Sequence, residues 1–185
     1  MAGVVGRLES KMKFGVAFLV LLLAGWAAAP AFAADDALSI ENNLKYLEEN
    51  KKQKGWIVRP SGLQFRILQN GYGKRPQPTD TVKVYYTGKL INGTIFDGTS
   101  PGLPASFKLN QGLITGWVEA MLLMREGDHW QLVIPPNLGY GVRGNGPVPP
   151  NQTLLFDIKL VETTPAPKRG EKGYIPDQGD KDEQQ

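Results

Sequence analysis

Residues 113–134, LITGWVEAMLLMREGDHWQLVI, change hydrophobic period halfway along. Ile114, Trp117, Val118, Met121 and Leu122 fall at i, i+3, i+4, i+7 and i+8, the spacing of one helix face, with Thr115 at the N-cap and Gly127 as the stop. Trp130, Leu132 and Ile134 then alternate up to Pro135-Pro136, the spacing of a half-buried strand ended by residues that cannot extend a ladder. A short, mostly apolar helix that feeds directly into a strand buries its surface only by lying across a sheet.

The flanking sequence supplies that sheet. Leu63, Phe65 and Ile67 alternate with Gln64 and Arg66, and Val82, Val84 and Tyr86 alternate with Lys83 and Tyr85. Asn92-Gly93, between Leu90-Ile91 and Thr94-Ile95-Phe96, predicts a two-residue hairpin, because both residues accept positive φ. After a long Gly/Pro-rich loop, Leu154, Phe156, Ile158 and Leu160 alternate again. The expected fold is α+β: an antiparallel half-roll sheet of five or six strands wrapped over one short helix. It occupies residues 55–163, near the usual size of an independent core.

On either side the composition changes. Residues 34–54 read as a charged N-terminal helical segment, with Leu38, Ile40, Leu44 and Leu47 among Glu, Asn and Lys, ended by Gly55. Residues 164–185, from Thr164 through Pro165-Ala166-Pro167 to Asp182-Glu183-Gln184-Gln185, offer little to bury and read as a disordered tail. Residues 1–33 have the three regions of a secretory signal in order: basic Lys11 and Lys13, an apolar run from Phe14 to Ala29, then Ala31-Phe32-Ala33 after Pro30. Cleavage after Ala33 is the favoured reading and implies a periplasmic or secreted protein. The uncharged stretch also reaches the ~20 residues that span a bilayer, so a retained anchor stays open. Met12-Lys13 would serve as an alternative start.

Removing residues 1–33 takes away three of 21 basic and one of 18 acidic side chains, leaving 18 against 17. A nearly neutral chain of this kind takes away the main support for nucleic-acid binding. There is no cysteine, which excludes a structural disulfide and a cysteine lipid anchor.

Five ordered motifs over about seventy residues carry a resemblance. They are Val84-Tyr85-Tyr86-Thr87-Gly88, Asn92-Gly93-Thr94-Ile95-Phe96-Asp97, Leu113-Ile114-Thr115-Gly116-Trp117, Gly139-Tyr140-Gly141 and Val148-Pro149-Pro150-Asn151-Gln152-Thr153-Leu154-Leu155-Phe156. In this order they resemble the FKBP-type peptidyl-prolyl cis/trans isomerases. Leu44 to Leu68, with Leu47-Glu48-Glu49-Asn50-Lys51-Lys52, is similar to the approach helix and first strand of the secreted macrophage-infectivity-potentiator subfamily. That subfamily is often dimeric through a domain before this helix. Here only about ten residues separate Ala34 from Leu44, so a monomer is expected.

The resemblance implies an isomerase acting on X-Pro bonds in proline-containing peptides and unfolded exported proteins, with no cofactor and no metal, inhibited by tacrolimus-like macrolides. It places Tyr86, Phe96, Asp97, Trp117, Tyr140 and Phe156 in the catalytic pocket, with Phe107, Leu113, Ile114 and Val148 holding substrate and Val148 on the rim. Trp117 takes the family's indole floor. The Tyr140 hydroxyl and the Ile114 N–H become donors to a bound carbonyl. The family usually has an Arg between the aspartate and the Phe107 position that pairs with the aspartate; Thr99-Ser100-Pro101-Gly102-Leu103-Pro104 contains none.

The residue types suit that chemistry. Rotating an amide meets a barrier of about 18–20 kcal/mol set by resonance, and no covalent bond has to form or break. An apolar pocket with a few fixed donors strips water from the carbonyl and favours the twisted amide; lowering the barrier by about 4 kcal/mol gives roughly a thousandfold acceleration. No nucleophile is needed, and the single His129 reads as a surface strand residue. Taken singly, Tyr86, Phe96, Trp117 and Phe156 would read as plain core. A proline-binding module without isomerisation uses the same pocket and is the competing class. A structural envelope protein using Lys168, Arg169 and Lys172 as a contact arm ranks below both.

Overall fold

A computed structural model of the chain describes residues 37–168 and 170–173; the signal sequence and most of the tail read from the sequence lie outside them. The element order is α1 (Ile40–Asn50), β1 (Ile57–Val58), β2 (Gln64–Gln69), β3 (Thr81–Lys89), β4 (Ile95–Gly98), β5 (Ala105–Lys108), α2 (Thr115–Leu123), β6 (His129–Ile134), two 3-10 turns at Pro136–Leu138 and Gly141–Arg143, and β7 (Leu154–Thr164). All strands join one antiparallel sheet in the order β1-β2-β6-β7-β3-β4, with β5 also pairing β3.

The period-2 segments become the long strands because alternate side chains take opposite faces. In β3, Val82, Val84, Tyr86 and Gly88 are buried while Thr81, Lys83, Tyr85 and Thr87 are half-buried. Leu132, Ile134, Phe156, Ile158 and Leu160 extend the same apolar face, and Trp117, Ala120 and Met121 of α2 pack on it. The approach is close at Gly116, where a Cβ would stand 2.6 Å from Ile134 Cγ2.

The sheet has seven strands rather than five or six. The additional ones are β1, only two residues long, and β5, whose four residues are too few to show a period. Two local expectations also change. Thr115 is not the N-cap: it is the first helical residue, and Ile114 caps in extended conformation (φ −65°, ψ 144°) with no side-chain bond. The β3–β4 connection is not a two-residue hairpin, since Asn92 does not adopt positive φ. Instead the Gly93 N–H donates to Leu90 O and Gly93 alone turns left-handed (φ +87°), with the register slipping between Gly88 and Lys89. A turn followed by one left-handed glycine is the longer hairpin solution, and the bulge restores the strand twist.

Helix α1 is held differently from its apolar pattern. Ser39 caps it by accepting from the Asn42 N–H at 3.2 Å. Ile40 and Leu44 stay more than half exposed, whereas Asn43 and Asn50 are buried. The helix ends at Asn50, ahead of Gly55, whose φ of +87° serves a following turn. Strand β7 continues through Thr164, paired with Thr81.

Candidate functional site

Strand β3 points Tyr86 to the inner face; β7, next to it, points Phe156 the same way, and β5 on its other side adds Phe107. The first turn of α2 then inserts Trp117 among them. The Trp117 ring meets Tyr86 at 4.9 Å and 89°, Phe107 at 5.4 Å and 81°, and Phe156 at 5.2 Å and 76°. All three are edge-to-face contacts, each worth about 0.5–1.5 kcal/mol beyond area burial. Trp117 is thus locked on three sides. Its indole Nε1 is buried and has no hydrogen-bond partner among the described residues.

Above this cluster lies a cavity of about 140 Å³. Tyr86, Phe107, Trp117 and Phe156 supply its aromatic walls; Leu113, Ile114, Tyr140, Asp97 and Gly112 complete the lining. The Ile114 N–H precedes the first turn of α2, where backbone N–H groups have no intrahelical acceptor, and it has no partner among the described residues. Tyr140, half-buried at the start of a 3-10 turn, likewise has no partner for its hydroxyl. Two donors and the Asp97 carboxylate therefore border the four aromatic walls.

Asp97 has a partner of a kind the sequence did not disclose. The Tyr86 hydroxyl donates to Asp97 Oδ2 at 2.7 Å, while the Gly98 N–H donates to Oδ1 at 2.8 Å. Burial, reinforced by this hydrogen bond to a carboxylate, pushes the Tyr86 hydroxyl well above the ordinary phenol range. The phenol is thus held protonated, and its proton is committed to Asp97.

Eight of the ten residues expected at the pocket line the cavity. Phe96 stands behind it, edge-on to Phe156 at 5.6 Å and 87°, and so sets the position of a wall. Val148 is not on the rim: it is only 3% exposed and belongs to the buried core, because its backbone N–H and C=O both close on Asn145 and turn the side chain inward. Gly112 also lines the cavity; the only sign of it in the sequence is the Gln111-Gly112 pair, which the structure turns to positive φ (+67°). His129 lies outside the cavity on β6, with Nε2 2.6 Å from Asp157 Oδ1. No group of three or more His, Cys, Asp or Glu side chains suited to a metal occurs among the described residues, and no helix there is long and apolar enough to cross a membrane.

A family model described as FKBP-type peptidyl-prolyl cis-trans isomerase matches residues 73–161. The FKBP-type 22 kDa peptidyl-prolyl cis-trans isomerase of Escherichia coli is 51% identical over 121 residues, covering 64% of this chain and 58% of that protein. A macrophage infectivity potentiator of Trypanosoma cruzi is 42% identical over 138 residues, covering 73% of this chain and 68% of its own. The crystal structure of FkpA from Escherichia coli superposes with a TM-score of 0.66 at 40% identity, over 73% of this chain and 62% of that one. The chain spans little more than half the length of the bacterial relatives that it matches.

Proposed function

This chain belongs to the FKBP-type peptidyl-prolyl cis-trans isomerase family, and on that premise we propose that it accelerates X-Pro bond rotation in proline-containing segments of exported proteins. The observation that carries the reading is the pair of donors without a hydrogen-bond partner among the described residues, the Ile114 N–H and the Tyr140 hydroxyl, at the edge of a cavity with four aromatic walls. The proline ring enters between Tyr86, Phe107, Trp117 and Phe156, and the flanking carbonyls take the two donors. Water is excluded from the rotating amide, so the planar form loses the solvation that favours its charge separation. Donors fixed by the helix start and by the 3-10 turn need no reorganisation as the bond twists. Asp97, held by Tyr86, places a carboxylate oxygen beside the cavity without acting as a base.

Export through residues 1–33 and function as a monomer are part of the same proposal, as is inhibition by tacrolimus-like macrolides that fill the proline pocket. The test is kcat/KM for a proline peptide on wild type, Tyr140→Phe, Asp97→Ala and Phe96→Ala, each shown folded by circular dichroism and thermal melting. Tyr140→Phe should lose the net worth of one hydrogen bond, about 0.5–1.5 kcal/mol, or roughly two- to thirteenfold. Phe96→Ala should lose more, because the Phe156 wall loses its support. Three folded variants equal to wild type would overturn the site. A wild type that binds proline peptides without isomerising them would turn the reading to a binding module.

A further inference from the structure

At the opposite end of α2, Leu123 and Arg125 border a second groove of about 600 Å³ that shares no lining residue with the aromatic cavity. Its volume is in the ~300–1,000 Å³ range of ligand clefts. Phe65 stacks flat on Trp130 (4.5 Å, 8°) in its floor, and Ile67 and Tyr72 beside them are 38% and 91% exposed. Phe65 and Trp130 are themselves buried, so the apolar surface the groove offers to a partner is that of Ile67 and Tyr72.

The rim is cationic. Arg59, Arg75 and Arg125 line it against a single carboxylate, Asp128. Asp128 is buried and already engaged, accepting from the Gly71 N–H and from the Arg125 N–H. Arg59 is 3.3 Å from Glu119, but Arg125 donates only to the neutral Gly73 carbonyl and Arg75 has no partner among the described residues. Two guanidiniums are therefore left without a counter-ion among the described residues. The groove suits an extended segment with an aromatic or aliphatic head followed by carboxylates.

The chain carries such a segment, and it leaves the sheet beside the groove. The Thr163 N–H, one residue before the end of β7, donates at 2.7 Å to Glu126, the neighbour of Arg125. Ten residues after Thr164 comes Tyr174-Ile175-Pro176-Asp177-Gln178-Gly179-Asp180-Lys181-Asp182-Glu183, with four carboxylates against one lysine. The tether folds back on itself, the Glu171 N–H donating to Lys168 O and Gly173 lying where a Cβ would stand 3.7 Å from Pro167 Cγ, so Tyr174 follows a short span from the exit point, whereas ten fully extended residues would reach about 33 Å. A tether this short holds the segment at roughly millimolar effective concentration, so modest contacts suffice.

We propose that residues 174–183 dock in this groove of their own chain, with Tyr174 and Ile175 against the exposed Ile67 and Tyr72 and the carboxylates at Arg75 and Arg125. The chain has no cysteine, so Gln178→Cys accepts a single nitroxide without competition. In ¹⁵N spectra of the labelled chain the Ile67, Gly71 and Tyr72 amides and the Trp130 indole should lose at least half their intensity, while the Gly112 and Ile114 amides at the aromatic cavity keep theirs. The combined Arg75→Glu and Arg125→Glu variant should restore the lost intensity. So should Asp180→Asn, Asp182→Asn and Glu183→Gln together, a change that cannot disturb the groove. Salt at about 1 M, which shortens screening to ~3 Å, should act in the same direction. Full intensity at the groove in the unsubstituted chain would overturn the proposal, as would broadening that survives both sets of substitutions. Broadening seen only when labelled and ¹⁵N chains are mixed would overturn it in favour of a second copy.

Discussion

The Tyr86–Asp97 contact gives one phenol hydroxyl two consequences, a fixed carboxylate at the cavity and a pH dependence. Its protonated form is stabilised in the folded state, first by burial and then by the Asp97 hydrogen bond, so its folded pKa exceeds the unfolded value near 10. The stability it contributes is fully present below about pH 10 and is lost as pH rises further, because unfolding then releases a proton. Urea midpoints measured at pH 9 and 11 should fall more steeply for wild type than for Tyr86→Phe. Tyr46, also raised by burial, is common to both proteins and cancels; equal slopes would refute the assignment. At Gly88 a Cβ would stand 2.7 Å from Phe96 Cζ and 2.8 Å from Phe156 Cε1. Gly88→Ala must push those rings apart, which should lower kcat/KM at least about tenfold while far-ultraviolet circular dichroism stays unchanged.

At the scale of elements, α1 shows polar groups fastening what apolar ones do not. Asn43 donates through Nδ2 to Gln152 Oε1 at 3.1 Å and accepts the Thr153 N–H at 2.7 Å. Two turns along the same helical face, Asn50 donates to Gln64 Oε1 at 2.9 Å, and Gln64 donates in turn to Leu47 O. These buried amides tie the helix to β2 and to the segment that leads from the Tyr140 loop into β7. Asn43→Ala leaves the Thr153 N–H and Gln152 Oε1 without partners, at roughly 1–3 kcal/mol each, while Gln152 Nε2 keeps the Leu38 and Pro150 carbonyls. Urea unfolding should therefore show a loss of at least about 2 kcal/mol. Leu44→Ala, at a position 54% exposed, should stay within about 0.5 kcal/mol. The reverse order would mean that α1 is held by its apolar stripe after all.

For the whole molecule, the exported form should begin at Ala34 and sediment as one species independent of concentration; the mass of the periplasmic protein and sedimentation velocity check the two halves. A membrane-bound species retaining Phe14–Ala29 would defeat the first, and a dimer that persists on dilution the second. Period alone determined the strands around Phe65, Val84, Leu132 and Phe156 and the helix carrying Trp117, because alternation and the 3.6-residue repeat are written along the chain and need no partner. The family resemblance of the ordered motifs likewise pointed to seven of the cavity's residues, with Phe107 added from outside them. Tertiary structure alone decided that Tyr86 meets Asp97, that Asn43 meets Gln152 and Thr153 across about 110 residues, and that Val148 turns into the core. It also decided that the β3–β4 turn closes on Gly93 with a slipped register. Those outcomes depend on which strand lies beside which and in what register, and a hydrogen bond between distant segments leaves no period in either of them.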